Sequence, residues 1–222
     1  MRLHPRHSWD LDPGEAVALQ KELRGLVVSN TPILLDAVRL VAGVDVSVKG
    51  DQSHAAVVVA TYPDFELVET RLAQRATPFP YVPGLLSFRE GPVLEEAFAA
   101  LETVPDVFLI DGMGIAHPRR MGIAAHLGLW LEKPTIGVGK TRLVGRHGPL
   151  PEEKGAQVPL VDRGETIGAV VRTRTGTNPL FISPGHQADI PSAVELVLRC
   201  CGKYRLPEPI RLAHKAAGAF EP

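Results

Sequence analysis

The chain has 222 residues, 45% of them hydrophobic and 22% charged, with a formal net charge of −1. That balance excludes a disordered chain, which needs little apolar content and a high net charge. No apolar run approaches the ~18 residues that cross a bilayer, and residues 1–15 lack a signal peptide's apolar stretch, so no membrane-spanning helix and a cytoplasmic protein are expected.

Asp12-Pro13-Gly14-Glu15 predicts a helix start, with an acid at the N-cap, Pro at N1 and Glu at N3, and that helix runs to about Leu26. Residues 40–48 alternate as a strand, with Gly43, Asp45 and Ser47 on one face. Residues 54–62 and 65–72 are two more strands joined through Pro63-Asp64, which makes an antiparallel meander. Residues 77–84 hold three prolines and form an extended loop. Residues 85–90 start a helix, and Pro92 starts a second that reaches about Thr103. Residues 107–111 are a short apolar strand closed by Asp111, and Pro118 begins a helix running through Leu131. A buried strand at 135–138 and a turn-rich stretch at 145–155 follow, then strands at 165–173 and 180–183 and helices at 190–201 and 210–217. The adjacent Cys200 and Cys201 fit no disulfide or zinc spacing and read as small apolar residues on a buried helix, as in a reducing compartment. With no repeat and no linker, residues 1–222 read as one domain, α/β, with a mixed sheet covered by helices on both faces. Ligands of such sheets sit beyond the carboxyl ends of the parallel strands, where Asp111 stands.

Three acids could carry chemistry. Asp45 lies inside an apolar strand, Glu90 follows the proline loop, and Asp111 precedes a glycine that lets the backbone turn away. Singly, Asp45 could face water, Glu90 could pair with Arg89 or Arg119, and Asp111 could cap a turn. Together they offer hard oxygen ligands for Mg²⁺, the chemistry that promotes phosphodiester hydrolysis. Residues 112–147 carry six Lys and Arg against one acid, Glu132, which is either a solvated face or a local site for a polyanion. Two nucleotide motifs fail. His117 replaces the third glycine of a dinucleotide fingerprint, and Pro134 stands at the first glycine of a P-loop ending at Gly139-Lys140-Thr141. What survives is an anion site at the start of the Pro118 helix, with Arg119 and Arg120. Tyr81, between Pro80 and Pro83, is either a core anchor or a rigid aromatic presented at the surface to bases.

The run Pro80-Tyr81-Val82-Pro83-Gly84-Leu85-Leu86-Ser87-Phe88-Arg89-Glu90 resembles the signature of the endonuclease V family, repair nucleases for deaminated bases. So do Val44-Asp45-Val46, Asp111-Gly112 with Gly114 and His117-Pro118-Arg119-Arg120, and residues 135–138 with Lys140. Residues 182–186 and 211–214 extend the resemblance, which covers roughly 40–217. It implies a ribonuclease H-like three-layer α/β/α fold whose mixed central sheet joins an antiparallel meander to parallel strands. It also implies a Mg²⁺-dependent endonuclease, with Mn²⁺ able to substitute, that recognises hypoxanthine (inosine) in DNA. The cut falls at the second phosphodiester bond 3′ to the lesion and leaves a 3′-hydroxyl and a 5′-phosphate.

By position the resemblance makes Asp45, Glu90 and Asp111 the metal-binding acids and Tyr81 the wedge that fills the gap left by the flipped base. Gly84, Leu85, Gly112, His117, Gly122 and Ile123 would bind that base, Lys140 would stabilise the charge growing on the phosphate, and His214 would lie near the attacking water. The expected form is a monomer whose partner is nucleic acid.

Met113 stands where the family usually shows a polar residue such as His or Asn, and Gly139 where Ala is common; residues 1–30 read as scaffold. A lesion-binding relative that cuts weakly is therefore one alternative, although the three intact acids argue against it. Discrimination between DNA and RNA falls to contacts with one 2′-hydroxyl, so an inosine-specific endoribonuclease is another.

Overall fold

The computed structural model describes residues 1–77 and 79–219; Pro78, part of the expected proline loop, lies outside them. Helix α1 (Pro13–Leu23) opens as its sequence dictates. Asp12 accepts from the amides of Gly14 and Glu15 while Glu15 reaches back to the amide of Asp12, and the last turn tightens into a 3-10 turn over Arg24–Leu26.

Strands β1 (Leu40–Lys49), β2 (Gln52–Thr61) and β3 (Leu67–Ala76) form the antiparallel meander. Helix α2 (Leu86–Ala99) leads to β4 (Val107–Asp111), and α3 (Ile123–Leu131) to β5 (Thr135–Gly139). Strands β6 (Gln157–Asp162), β7 (Glu165–Val171) and β8 (Leu180–Pro184) follow, then α4 (Ile190–Arg199) and α5 (Glu208–Gly218). All eight strands share one sheet in the order β3-β2-β1-β4-β5-β8-β7-β6. Pairing is parallel from β1 to β4 and from β4 to β5, and antiparallel elsewhere.

Alternate residues of the central strands feed two apolar layers. Val41, Val107 and Leu109 pack with Ala193, Leu196 and Val197 of α4 and Ile210 of α5. Ala42, Val44, Phe108 and Ile110 pack with Val93, Leu94, Ala97 and Phe98 of α2 and with Ile123 and Leu127 of α3. Helices therefore cover both faces.

Three expectations need correction. The two helices expected around Pro92 are one helix that runs through the proline and stops at Ala99. Leu86 before the proline and Val93, Leu94, Ala97 and Phe98 after it share one apolar cluster, so packing overrides the lost backbone donor. The Pro118 helix begins only at Ile123, because Arg120 adopts φ +58° and breaks any helix there. The anion site expected at its start goes with it. Arg119 donates to Gln20 Oε1 at 2.6 Å and the Gly84 carbonyl at 2.8 Å, and Arg120 pairs with Asp162 at 2.9 Å and Glu165 at 2.8 Å. Strand β6 was not expected; it is a largely exposed edge strand that tolerates Pro159 and carries only Leu160 as a fully buried apolar residue.

Candidate active site

Val44 of β1 is in register with Ile110 of β4, so the next residue of each strand, Asp45 and Asp111, stand beside one another. Gly43 explains what lies above Asp45. A Cβ there would sit 1.9 Å from the carbonyl oxygen of Pro209, so only glycine lets α5 settle directly onto β1. That approach brings Nδ1 of His214 to 2.9 Å from Oδ2 of Asp45. Glu90 arrives from α2. Lys140, just past β5, donates from its ammonium to Asp111, and Arg205 holds the Lys140 carbonyl at 3.0 Å and the Pro179 carbonyl at 2.9 Å.

These acids press on one another. Burial first, then the hydrogen bond and charge of Asp111, push Asp45 up to about 7, against the pull of His214 and Lys140. Burial, then the charges of Asp111 and Asp45, push Glu90 up to about 8. Both carboxyls hold protons near neutrality that a cation would displace. The donor set therefore fits a hard divalent ion in its chemistry. As it stands, Lys140 is the cation on Asp111, and among the described residues no three His, Cys, Asp or Glu side chains are gathered closely enough to hold a metal ion.

A cavity of about 350 Å³ opens beside the acids, and Asp45, Glu90, Asp111 and Lys140 all line it. Of the expected base-binding residues, Gly84, Gly112, His117, Gly122 and Ile123 line it too. Gly112 has φ +138°, and a Cβ there would meet Cγ2 of Ile123 at 2.5 Å; glycine is what keeps this wall open. Leu85 does not line it, because its side chain turns into an apolar cluster with Ala16, Phe79 and Phe88. Tyr81 is 72% exposed and lines the cavity from outside the core, which removes the core-anchor alternative. Burial, helped by the charges of Arg119 and Arg120, pushes His117 down to about 4. Neutral His117 donates from Nε2 to the Gly84 carbonyl at 2.9 Å and accepts at Nδ1 from the Arg119 amide at 3.1 Å. Met113 lines the cavity and packs with Leu160, Ile167, Val170 and Phe181.

Three residues at the site went unread in the sequence. Gln20 of α1 donates to the carbonyls of Gly84 and Met121, each at 3.0 Å. Arg205 holds the Lys140 backbone, and Ser87 lines the cavity one turn before Glu90. Ser87 lay inside a recognisable motif; Gln20 and Arg205 sit in segments with no spacing signal at all.

Comparison with known proteins agrees along the whole chain. The family model described as Endonuclease V matches residues 21–215. An Endonuclease V of Nostoc punctiforme is 49% identical over 221 residues, 99% of this chain and 100% of the relative. One from Methanothrix thermoacetophila is 50% identical over 214 residues, 96% and 94% of the two chains. Among solved structures, an Endonuclease V from Bacillus subtilis superposes with a TM-score of 0.93 at 32% identity, covering 98% of this chain and 96% of its own. The Ciona intestinalis Endonuclease V, solved with a 24mer DNA containing an inosine followed by a ribo-adenosine, gives 0.81 at 28% identity, covering 92% and 95%. The fold is ribonuclease H-like α/β, as these neighbours have. Among the described residues no helix is long and apolar enough to cross a membrane. The chain belongs to the Endonuclease V family of nucleases.

Proposed function

We propose that this chain is a Mg²⁺-dependent DNA repair endonuclease, with Mn²⁺ able to substitute, that extrudes a deaminated base, chiefly hypoxanthine, and hydrolyses the second phosphodiester bond on its 3′ side. It leaves a 3′-hydroxyl and a 5′-phosphate and acts as a monomer. One observation carries the reading: an exposed tyrosine, a glycine-walled cavity and three mutually repelling carboxylates occur in one recess.

Tyr81, on a loop stiffened by Pro80 and Pro83, has the exposure needed to enter a duplex and fill the space a flipped base leaves. The cavity falls within the size range of small-molecule sites, ~300–1,000 Å³. A deaminated base pairs weakly, so its extrusion costs less than that of a normal base. Asp45, Glu90 and Asp111 would hold the divalent ion, which when bound activates water and neutralises the leaving oxygen. Lys140, released from Asp111, and the exposed Arg142 supply positive charge to the phosphate. His214, held by Asp45 and 60% exposed, faces solvent from which water arrives.

The experiment is cleavage of an end-labelled DNA strand with one inosine, beside its ribose counterpart, in Mg²⁺ and in EDTA. A Mg²⁺-dependent cut one nucleotide beyond the inosine on its 3′ side supports the reading, and no cut by folded protein overturns it. The ribose lane carries weight because the Ciona intestinalis relative was solved on a strand with a ribonucleotide after the inosine. A faster cut there would make this chain an endoribonuclease by preference.

A further inference from the structure

Strand β5 ends at Gly139, in register with Phe181 of β8, so Lys140 stands one residue past the last pair of the ladder. From there to Gln157 the chain forms no helix and no strand. The ladder therefore does not fix the residue whose ammonium meets Asp111; a side chain from far along the chain does. Arg205, between α4 and α5, donates from Nη2 to the Lys140 carbonyl at 3.0 Å and the Pro179 carbonyl at 2.9 Å. Its Nε donates to the Asn178 carbonyl at 2.7 Å. Asn178 and Pro179 lead directly into β8, so one planar guanidinium ties the residue after β5 to the residues before β8. Arg205 is itself held from behind: buried Thr173, two residues past β7, donates from its hydroxyl to the Arg205 carbonyl at 2.6 Å. Arg205 does not line the cavity and reaches the site only through what it holds.

Two roles are open to such a residue. Burial lowers the Arg205 pKa and the charge of Asp111 opposes that, so the two are near enough for the cation to act through its field alone. The bond pattern points elsewhere. Two nitrogens spent on three carbonyls require a rigid planar fork, and a lysine ammonium on its flexible stem offers no such fixed directions. We propose that Arg205 is a positioning residue for phosphodiester cleavage, clamping the Lys140 backbone to the start of β8 so that the Lys140 ammonium meets the phosphate in one place. It acts through Lys140 and touches no substrate. This inference rests on the endonuclease reading, which gives Lys140 the phosphate.

The test uses Arg205→Lys, which keeps the charge and loses the fork, alone and beside Lys140→Ala. On inosine DNA in Mg²⁺, kcat is expected to fall about ten- to a hundredfold in Arg205→Lys, as for a misplaced catalytic group. It should fall no further when Arg205→Lys is added to Lys140→Ala. Binding of the same DNA in Ca²⁺ gives a readout that a merely structural role would not move. The slope of log K against log[salt] should become shallower by about one in Arg205→Lys although no charge is lost, matching Lys140→Ala. Losses of kcat that multiply in the double variant, or a slope unaltered in Arg205→Lys, overturn the proposal. Full activity in Arg205→Lys assigns the role to charge and overturns it as well. If Arg205→Lys does not fold, Thr173→Val frees the Arg205 carbonyl and leaves the guanidinium in place. It should give the same losses in smaller measure, absent beside Lys140→Ala, and full activity there overturns the clamp. Folded wild type that binds inosine DNA and cuts nothing sinks the endonuclease reading, while the salt slopes still decide the clamp by themselves.

Discussion

Replacing Asp45 by Asn measures what it costs the fold to ionise a buried acid beside Asp111 before a cation arrives. Asp45 is 6% exposed, and burial together with Asp111 lifts its pKa from 3.8 to about 7. Between those values the unfolded chain releases the proton and the folded chain keeps it, so the metal-free fold loses stability as pH rises through that window. Below it both states are protonated and there is no penalty; above it both are ionised and the penalty is complete. At about 1.4 kcal/mol per unit the whole shift caps the penalty near ~4 kcal/mol. Asp111 contributes to that shift directly, so removing one member of the pair recovers about 1–3 kcal/mol. Asn keeps an oxygen for His214 and has no proton to lose. In EDTA the variant should therefore gain about 1–3 kcal/mol on wild type between ~pH 4.5 and ~pH 8, roughly 3–10 °C in Tm for a chain of this size. Calorimetry at several pH values reads the difference directly. Adding Mg²⁺ at the upper pH should reverse the order, because wild type is then stabilised by binding and the variant lacks a ligand. A stability difference that stays constant across the pH range would refute the argument that burial and the neighbouring Asp111 hold Asp45 protonated.

Tyr81→Ala should cut discrimination for inosine in a duplex about tenfold or more while slowing a single-stranded inosine substrate far less, since only the duplex has a gap to fill; equal slowing of both substrates would remove the wedge role. Lys140→Ala should make the salt dependence of binding shallower by about one unit of slope in a plot of log K against log[salt]. An unchanged slope would mean that the ammonium stays on Asp111 when nucleic acid binds. Gly139→Ala would place a Cβ 2.4 Å from Cε of Met113, so it should cost about 1–2 kcal/mol alone and less beside Met113→Asn. Chemical denaturation of the single and double variants should give a coupling of at least ~0.5 kcal/mol, and strict additivity would mean the thioether tip has other room.

The carboxylate centre was legible because each acid is announced by its own strand or helix. Asp45 interrupts an apolar alternation, Asp111 closes a fully apolar strand, and Glu90 ends the long proline-loop motif. The meander and the two parallel strands follow from period and turn chemistry alone, which are local properties of the chain. Helix boundaries around Pro92 and Pro118 were not legible, because propensity marks a proline as a start while the outcome was set by packing and by the backbone of Arg120. Strand β6 escaped because Pro159 interrupts its short Val158–Leu160 alternation, and a proline inside a run argues against a strand except at a sheet edge, which is where β6 lies.

What sequence spacing hides most completely is the contribution of the first thirty residues. Gln20 meets Gly84 across 64 positions and Met121 across 101, while His7 meets His126 across 119. Trp9 lies against Gly91, where a Cβ would fall 2.4 Å from its Cη2, so the N-terminal segment seats α2 one residue from Glu90. None of these contacts has a local signature, since a Gln on a helix or a His before a Ser means nothing until its partner is known. The segment that read as scaffold thus supports both functional walls of the cavity. Gln20 helps saturate the Gly84 carbonyl, and His7 lies 2.7 Å from His126, which in turn meets Ser87 at 2.9 Å. Met113 and Gly139 make the converse point. Taken one at a time they are two departures from the family's usual residues, but in space the thioether fills the volume that a methyl group at 139 would need. They are one accommodation, made at the cavity and not at the carboxylates, so an unusual residue beside Asp111 leaves the placement of the three acids unchanged.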